Sequence, residues 1–271
     1  MTTPTLTECL TQMGAAGRRL DAIHACEAGA GNISVALRTP PDLAQTFPLS
    51  EPYTLPAPAQ ALIGWTVLVT GSGCRLRDVA AAPTANVAAV EIGPDGLTGT
   101  LHYAAARAYR TPTSEFNSHL AVHADQVASG GAPHGYHTVI HAQPPYLVLL
   151  THGPAANSRE FSRELLRWEP ETVVQLPEGV KVLEFMVPGS ARLQEASVAG
   201  LRTHRIVLWS KHGLMVRSAD GPLKAVDLIE YAETGAMYAH LNQATGQPKQ
   251  GLTDEELAQV IAAFNVQTDL F

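Results

Sequence analysis

Thr111-Pro112-Thr113-Ser114-Glu115-Phe116 and, further on, Thr138-Val139-Ile140-His141-Ala142-Gln143 bracket the stretch that decides how this chain is built. The first hexapeptide is a helix-start signal. Proline pre-sets φ for a first turn, threonine and serine can cap it, and a carboxylate suits the positive end of the helix dipole. The helix it opens would carry Phe116, Leu120 and Val127. The second hexapeptide is a short apolar run that reads as a strand. Residues two apart on a strand point the same way, so His141 and Gln143 project together from its end. The sequence thus offers a carboxylate at a helix start, and an imidazole and an amide at a strand end.

Outward from this pair, the elements follow from periodicity and punctuation. Upstream, Leu6, Leu10, Met13, Leu20 and Ile23 form a helical stripe that ends before the turn Gly29-Ala30-Gly31-Asn32. Ile33, Val35 and Leu37 then alternate with Ser34 and Ala36, which predicts a half-buried strand. Residues 40–60 hold Pro40, Pro41, Pro48, Pro52, Pro56 and Pro58, and read as loop or irregular edge. Residues 62–69 resume as a strand and run into Thr70-Gly71-Ser72-Gly73. Residues 87–92 and 98–103 form a hairpin about Asp95-Gly96.

Downstream, Pro144-Pro145 opens a short helix to Thr151, and another covers residues 158–168. Residues 173–176 and 180–185 look like paired strands around Pro177-Glu178-Gly179. Ser190 caps a helix to about His204, and two strands flank Lys211-His212-Gly213. Helices over residues 221–244 and 253–265 close the chain. Strands come as hairpin neighbours and helices in batches, with no regular alternation and no internal repeat. That pattern predicts an α/β single domain over residues 1–271, a mixed or antiparallel sheet with helices packed on it.

Bulk properties exclude several functions. With 45% hydrophobic and 16% charged residues the chain is globular rather than disordered. A net charge of −7 and the absence of any Lys/Arg block argue against nucleic acid. An anionic substrate would need local help against that field. Met1-Thr2-Thr3-Pro4-Thr5 has no basic start or apolar signal core, and the apolar runs are too short to span a bilayer. Cys9, Cys26 and Cys74 are odd in number and widely spaced, so they read as reduced thiols. A cytoplasmic protein with no membrane partner is the expectation.

Three constellations carry chemistry, each beside an ordinary explanation. The glycine turns Gly31-Asn32 and Ser72-Gly73, with Thr113-Ser114, could cradle a phosphate, because glycine admits an anion close to backbone N–H groups. Taken singly, each is an ordinary turn or cap. His141, Gln143 and His212 could form a three-ligand metal face with an open position; taken singly, each histidine could be a core residue. Glu115 could be a general base beside that metal, or simply compensate the helix dipole. Glu169 and Glu171 are secondary acidic candidates whose plainer role is a solvated pair at a strand start. His152 reads as structural, and His134, His137 and His204 as surface.

In that order, Asn32 after a glycine, Thr70-Gly71-Ser72-Gly73, Pro112-Thr113-Ser114-Glu115, a histidine ending a strand and a later His212-Gly213 together resemble the class II aldolase/adducin family. The likeness covers nearly the whole chain, including Met186-Val187-Pro188-Gly189 and Val207-Leu208-Trp209. It implies a mostly antiparallel sheet sandwiched between helices and a homotetramer. The activity it implies is reversible cleavage of a ketose 1-phosphate to dihydroxyacetone phosphate and an aldehyde. It further places phosphate contacts at Gly31, Asn32, Ser72, Gly73, Thr113 and Ser114, acid–base roles at Glu115 and Glu171, and metal ligands at His141, Gln143 and His212.

The family pattern has a second histidine where this chain has Gln143. Zinc is the metal implied by resemblance, whereas an amide oxygen belongs more naturally to a harder ion such as manganese or magnesium. The same departure keeps open a metal-poor ligand-binding or assembly module on this scaffold. An epimerase or decarboxylase-like lyase would use a similar ligand set.

Overall fold

The computed structural model describes residues 3–39, 41–153, 157–246 and 248–271; Met1, Thr2 and Pro40 fall outside them. Among the described residues, nine strands pair into one sheet. They are β1 (Asn32–Leu37), β2 (Leu49–Thr54), β3 (Thr66–Thr70), β4 (Val87–Ile92), β5 (Thr98–Tyr103), β6 (Tyr136–Ala142), β7 (Lys181–Leu183), β8 (Ile206–Trp209) and β9 (Gly213–Ser218). Their spatial order is β2-β5-β4-β3-β1-β6-β9-β8-β7. Every pairing is antiparallel except that of β7 with β8.

The helices are α1 (Leu6–Ala22), α2 (Pro83–Asn86), α3 (Phe116–Ala128), α4 (Pro145–Leu150), α5 (Ser158–Leu166), α6 (Pro170–Gln175), α7 (Ala191–Leu201), α8 (Pro222–Ala244) and α9 (Asp254–Ala263). Their starts are chemically marked. Thr5 with Glu8 and Thr253 with Glu256 form capping boxes, and Ser190 Oγ accepts from Leu193 N.

Alternation along the central strands divides the core into two layers. Ile33, Val35 and Leu37 of β1, with Ile140 of β6, pack into a cluster with residues of α1, α5 and α8. On the other face, Phe116 and Leu120 of α3 pack with β3 and β4, and Val122 of α3 joins Val139, Trp209 and Met215 with residues of α7. The sheet is therefore sandwiched between helices, as expected. Both faces being covered also corrects one detail. β1 is buried at all six positions rather than half-buried, because α3 lies over Ser34 and Ala36.

Several local elements differ from expectation. Residues 173–175 are helical, since Pro170 occupies the first turn of α6 and buries Thr172 and Val173 against the helical layer. Only residues 181–183 of the expected second strand pair, and they pair with β8. Inside the proline-rich segment, β2 does form, as an edge strand; there Pro52 leaves no central ladder unpaired. His137 is fully buried, not at the surface, because it sits mid-sheet on β6 under α3. His134 and His204 are half-buried at loop positions, and His152 lies exposed just past α4.

Candidate active site

The site forms where β1 and β6 run side by side. Asn32 stands opposite His141 in their register, so the first glycine turn and the strand-end histidine are neighbours. β6 in turn pairs with β9, placing His141 opposite Met215. His212 occupies the tight turn between β8 and β9, held by Lys211 in a left-handed conformation at φ 65°. Thr151 Oγ1, at the end of α4, accepts the Lys211 N–H at 2.8 Å and fixes that turn from below.

Glu115 arrives from the other layer. It is the N-cap of α3, which begins at Phe116 rather than Pro112, yet its side chain makes no capping bond. The buried carboxylate is turned inward instead. Its Oε2 accepts from Asn32 Nδ2 at 2.9 Å and lies 3.5 Å from His141 Nε2. Its Oε1 lies 3.9 Å from His212 Nε2. One ligand atom from each of the three residues falls within 4.8 Å of the others.

These atoms suit a divalent cation. Tetrahedral zinc with ligands at about 2 Å holds its donor atoms roughly 3.3 Å apart, close to the two distances above. His141 Nδ1 donates to Leu214 O at 2.8 Å, which leaves the lone pair on Nε2 aimed at the cluster. The ring also stacks on Trp209, centroids 4.7 Å apart at 24°, and the indole is anchored by its N–H on Ser197 Oγ at 2.9 Å. Burial pushes the His212 pKa down, His141 adds to the fall and Glu115 opposes it, so the neutral, ligating form is favoured. His212 Nδ1 is buried without a partner among the described residues. Two imidazoles and a carboxylate make a three-ligand set of the type seen in catalytic zinc sites.

Gln143 adjoins this set. Its backbone N–H is held by Ala25 O at 2.7 Å. Oriented to satisfy its hydrogen bonds, the amide donates to both carboxylate oxygens of Glu27, at 2.5 and 3.2 Å. Gln143 and Glu27 line a hollow of about 440 Å³ with His24, His212 and residues of α4. Glu171 lies exposed in the first turn of α6 and, among the described residues, makes no ion pair with the cluster.

The two glycine turns and the start of α3 also converge. A Cβ added to Gly29 would come within 3.2 Å of Gly73 O, so the two glycine turns touch. Ser72 N donates to Thr111 O at 2.9 Å and Thr113 N to Thr70 O at 3.0 Å, which joins the second turn to the start of α3. Those two N–H groups are therefore engaged. Ser72 and Ser114 keep exposed side chains, and Gly31 and Gly73 adopt positive φ, 79° and 76°. Asn32 uses both ends of its amide inside the fold: Nδ2 on Glu115 and Oδ1 on His119 Nε2.

His119, His123 and Ser34, which complete that inner network, escaped the sequence reading. The available signal was Asn32 and Ser34 two apart on a strand and His119 and His123 four apart on a helix.

Comparison with known proteins follows the same lines. The family described as Class II Aldolase and Adducin N-terminal domain matches residues 11–240. Rhamnulose-1-phosphate aldolase of Escherichia fergusonii is 33% identical over 228 residues, covering 81% of this chain and 77% of that protein. The Bacteroides thetaiotaomicron rhamnulose-1-phosphate aldolase is 28% identical over 244 residues, covering 89% and 88%. Among solved structures, a sugar-phosphate aldolase from Thermotoga maritima superposes with a TM-score of 0.72 at 24% identity, covering 91% of this chain and 99% of that one. L-Fuculose-1-phosphate aldolase from Thermus thermophilus gives 0.57 at 20% identity, covering 90% and 100%. These two likenesses bear on the fold.

Proposed function

The chain belongs to the class II aldolase and adducin family, and from that premise we propose that it is a divalent-metal-dependent aldehyde-lyase. The reaction is reversible cleavage of a ketose 1-phosphate, rhamnulose-1-phosphate-like, to dihydroxyacetone phosphate and an aldehyde. The observation that carries this reading is the meeting of Glu115, His141 and His212 beside two touching glycine turns.

His141 and His212 would hold the ion, with Glu115 within reach of it. Zinc fits that set, and Gln143 would complete it only by leaving Glu27, a change that would favour manganese or magnesium. When bound, the ion supplies Lewis-acid polarisation of the carbonyl and hydroxyl oxygens of the three-carbon unit. Glu115 moves the proton at the carbon that becomes nucleophilic, and the Asn32 amide, donating to its Oε2, orients it. Gly31, Ser72, Gly73, Thr113 and Ser114 hold the phosphate, which fixes the far end of the substrate, and Asn32 ties that cradle to Glu115. In this reading Glu171, exposed in the first turn of α6, serves the aldehyde end, and the assembly is a homotetramer.

The test is retro-aldol turnover of rhamnulose 1-phosphate, with dihydroxyacetone phosphate release as readout, on protein purified without chelators. Added divalent metal should raise turnover, and Glu115→Gln should lower it by about 10²- to 10⁴-fold. Absence of turnover on any ketose 1-phosphate, together with no metal uptake, would reject the lyase in favour of a metal-poor binding or assembly module. Sedimentation of the intact protein tests the tetramer, and fractionation of cells tests the cytoplasm. Among the described residues, no helix is long and apolar enough to cross a membrane.

A further inference from the structure

Behind Glu115 a file of buried polar groups runs into the core between α3 and the sheet. Ser34 Oγ is 2.7 Å from His119 Nδ1 and 2.7 Å from His123 Nε2. His123 Nδ1 is 2.9 Å from His137 Nδ1, and the two rings meet edge to face. Ser34, His119, His123 and His137 are all fully buried. At the far end His137 Nε2 has no partner among the described residues. Such a file is costly to bury unless every contact pairs a donor with an acceptor.

Chemistry fixes the direction of each bond. An ionised Glu115 only accepts, so the Asn32 nitrogen faces it and Asn32 Oδ1 faces His119 Nε2, which must then carry a hydrogen. A neutral His119 accepts at Nδ1, so Ser34 donates there and its oxygen is free to accept from His123 Nε2–H. His123 Nδ1 is then an acceptor, and His137 donates from Nδ1. The unpartnered His137 Nε2 is the bare lone pair with which the file must end. Burial holds all three rings in the neutral form, and Arg217 near His137 reinforces it.

We propose that Ser34, His119, His123 and His137 are positioning residues for Glu115, forming a one-way hydrogen-bond chain whose donors all point to the carboxylate and lock the Asn32 amide with its nitrogen toward it. The inference rests on Glu115 being the working carboxylate of the proposed site. The chain orients rather than conducts, because the Asn32 amide has no ionisable proton to hand on. Its consequence is that Glu115 keeps a fixed donor on Oε2, so one rotamer presents the carboxylate to His141 and His212. Breaking the chain at Ser34 would free His119 to move its hydrogen to Nδ1. Asn32 could then turn its oxygen toward Glu115, lone pair against lone pair.

The test combines a spectroscopic and a binding measurement on the full chain. In ¹⁵N-labelled protein near neutral pH, the ring-nitrogen signals should place the hydrogen on Nε2 of His119 and His123 and on Nδ1 of His137. Zinc alone, titrated against a chromophoric chelator, should bind His119→Phe and Ser34→Ala about 10- to 100-fold more weakly than the unaltered chain, as for lost outer-shell partners. His119→Gln keeps an N–H for Asn32 Oδ1 and should restore most of that affinity. Ser34→Ala keeps the test alive should His119→Phe fail to fold. A hydrogen on His119 Nδ1 in the unaltered chain would overturn the proposal. So would a Gln variant as weak as Phe, or zinc affinities that merely track melting temperature. If the unaltered chain takes up neither zinc, manganese nor magnesium and turns over no ketose 1-phosphate, the lyase reading fails, while the ring tautomers still decide the chain.

Discussion

Glu233 gives a pH-dependent stability whose sign can be worked from the structure. It lies buried on α8, and its two carboxylate oxygens accept from Tyr146 N and Leu147 N in the first turn of α4, each at 2.9 Å. Burial pushes its pKa from 4.5 up to about 7, against the pull of those two N–H groups. Between these values the folded chain holds a proton that the unfolded chain has released. The stabilisation is therefore fully present below 4.5 and is lost as pH rises through about 7. A shift from 4.5 to about 7 corresponds to ~3 kcal/mol.

Glu233→Gln stays neutral and keeps one acceptor for α4. Near pH 5 it should match the unaltered chain; near pH 8.5 it should exceed it by ~2–3 kcal/mol, or about 5 °C in Tm. Urea and thermal unfolding at the two pH values measure this directly. A variant that is less stable by the same amount at both would refute the reasoning, because Glu233 would then be an ionised cap at every pH. The outcome matters for the site, since Thr151, the C-cap of α4, holds the Lys211-His212 turn.

Other perturbations read different parts of the same frame. Gln143→His should tighten zinc binding about tenfold or more by adding an imidazole beside His212; equal or weaker affinity would mean that residue 143 does not face the ion. Gly71→Ala would drive a Cβ to 2.0 Å from the Tyr109 ring, which is buried and held on Val87 O. A loss of at least ~2 kcal/mol in urea unfolding is expected, and an unaltered midpoint would show that the turn yields. Cys9 and Cys26 are buried, with thiols pushed up to about 12 and about 11. Both should react with a thiol reagent near neutral pH only after unfolding, so rapid labelling of the native chain would contradict their burial.

Much of the fold was legible because its signals are local. Turn residues marked the β4–β5 hairpin, Ser190 marked the start of α7, and the alternation of Ile33, Val35 and Leu37 marked β1. Glu115, His141 and His212 were found as residue types at element ends, and the structure brings all three together. Where local cues conflicted, packing decided. Val173 and Val174 favour a strand by composition, yet Pro170 starts a helix there and the apolar layer under α8 buries it. Pro52 argued for loop, yet an edge position tolerates it.

The sequence by itself determined which side chains stand at the ends of β1, β6 and α3, because capping, turn chemistry and periodicity act within a few residues. Only the tertiary structure decided what those side chains meet. Asn32 reaches Glu115 across 83 residues of chain, and His119 and His123 lie against Ser34 across 85 and 89. Such pairings exist only once α3 is pressed onto the sheet. The energy that selects them is the desolvation cost of every buried polar group left without a partner, and no local pattern encodes that cost.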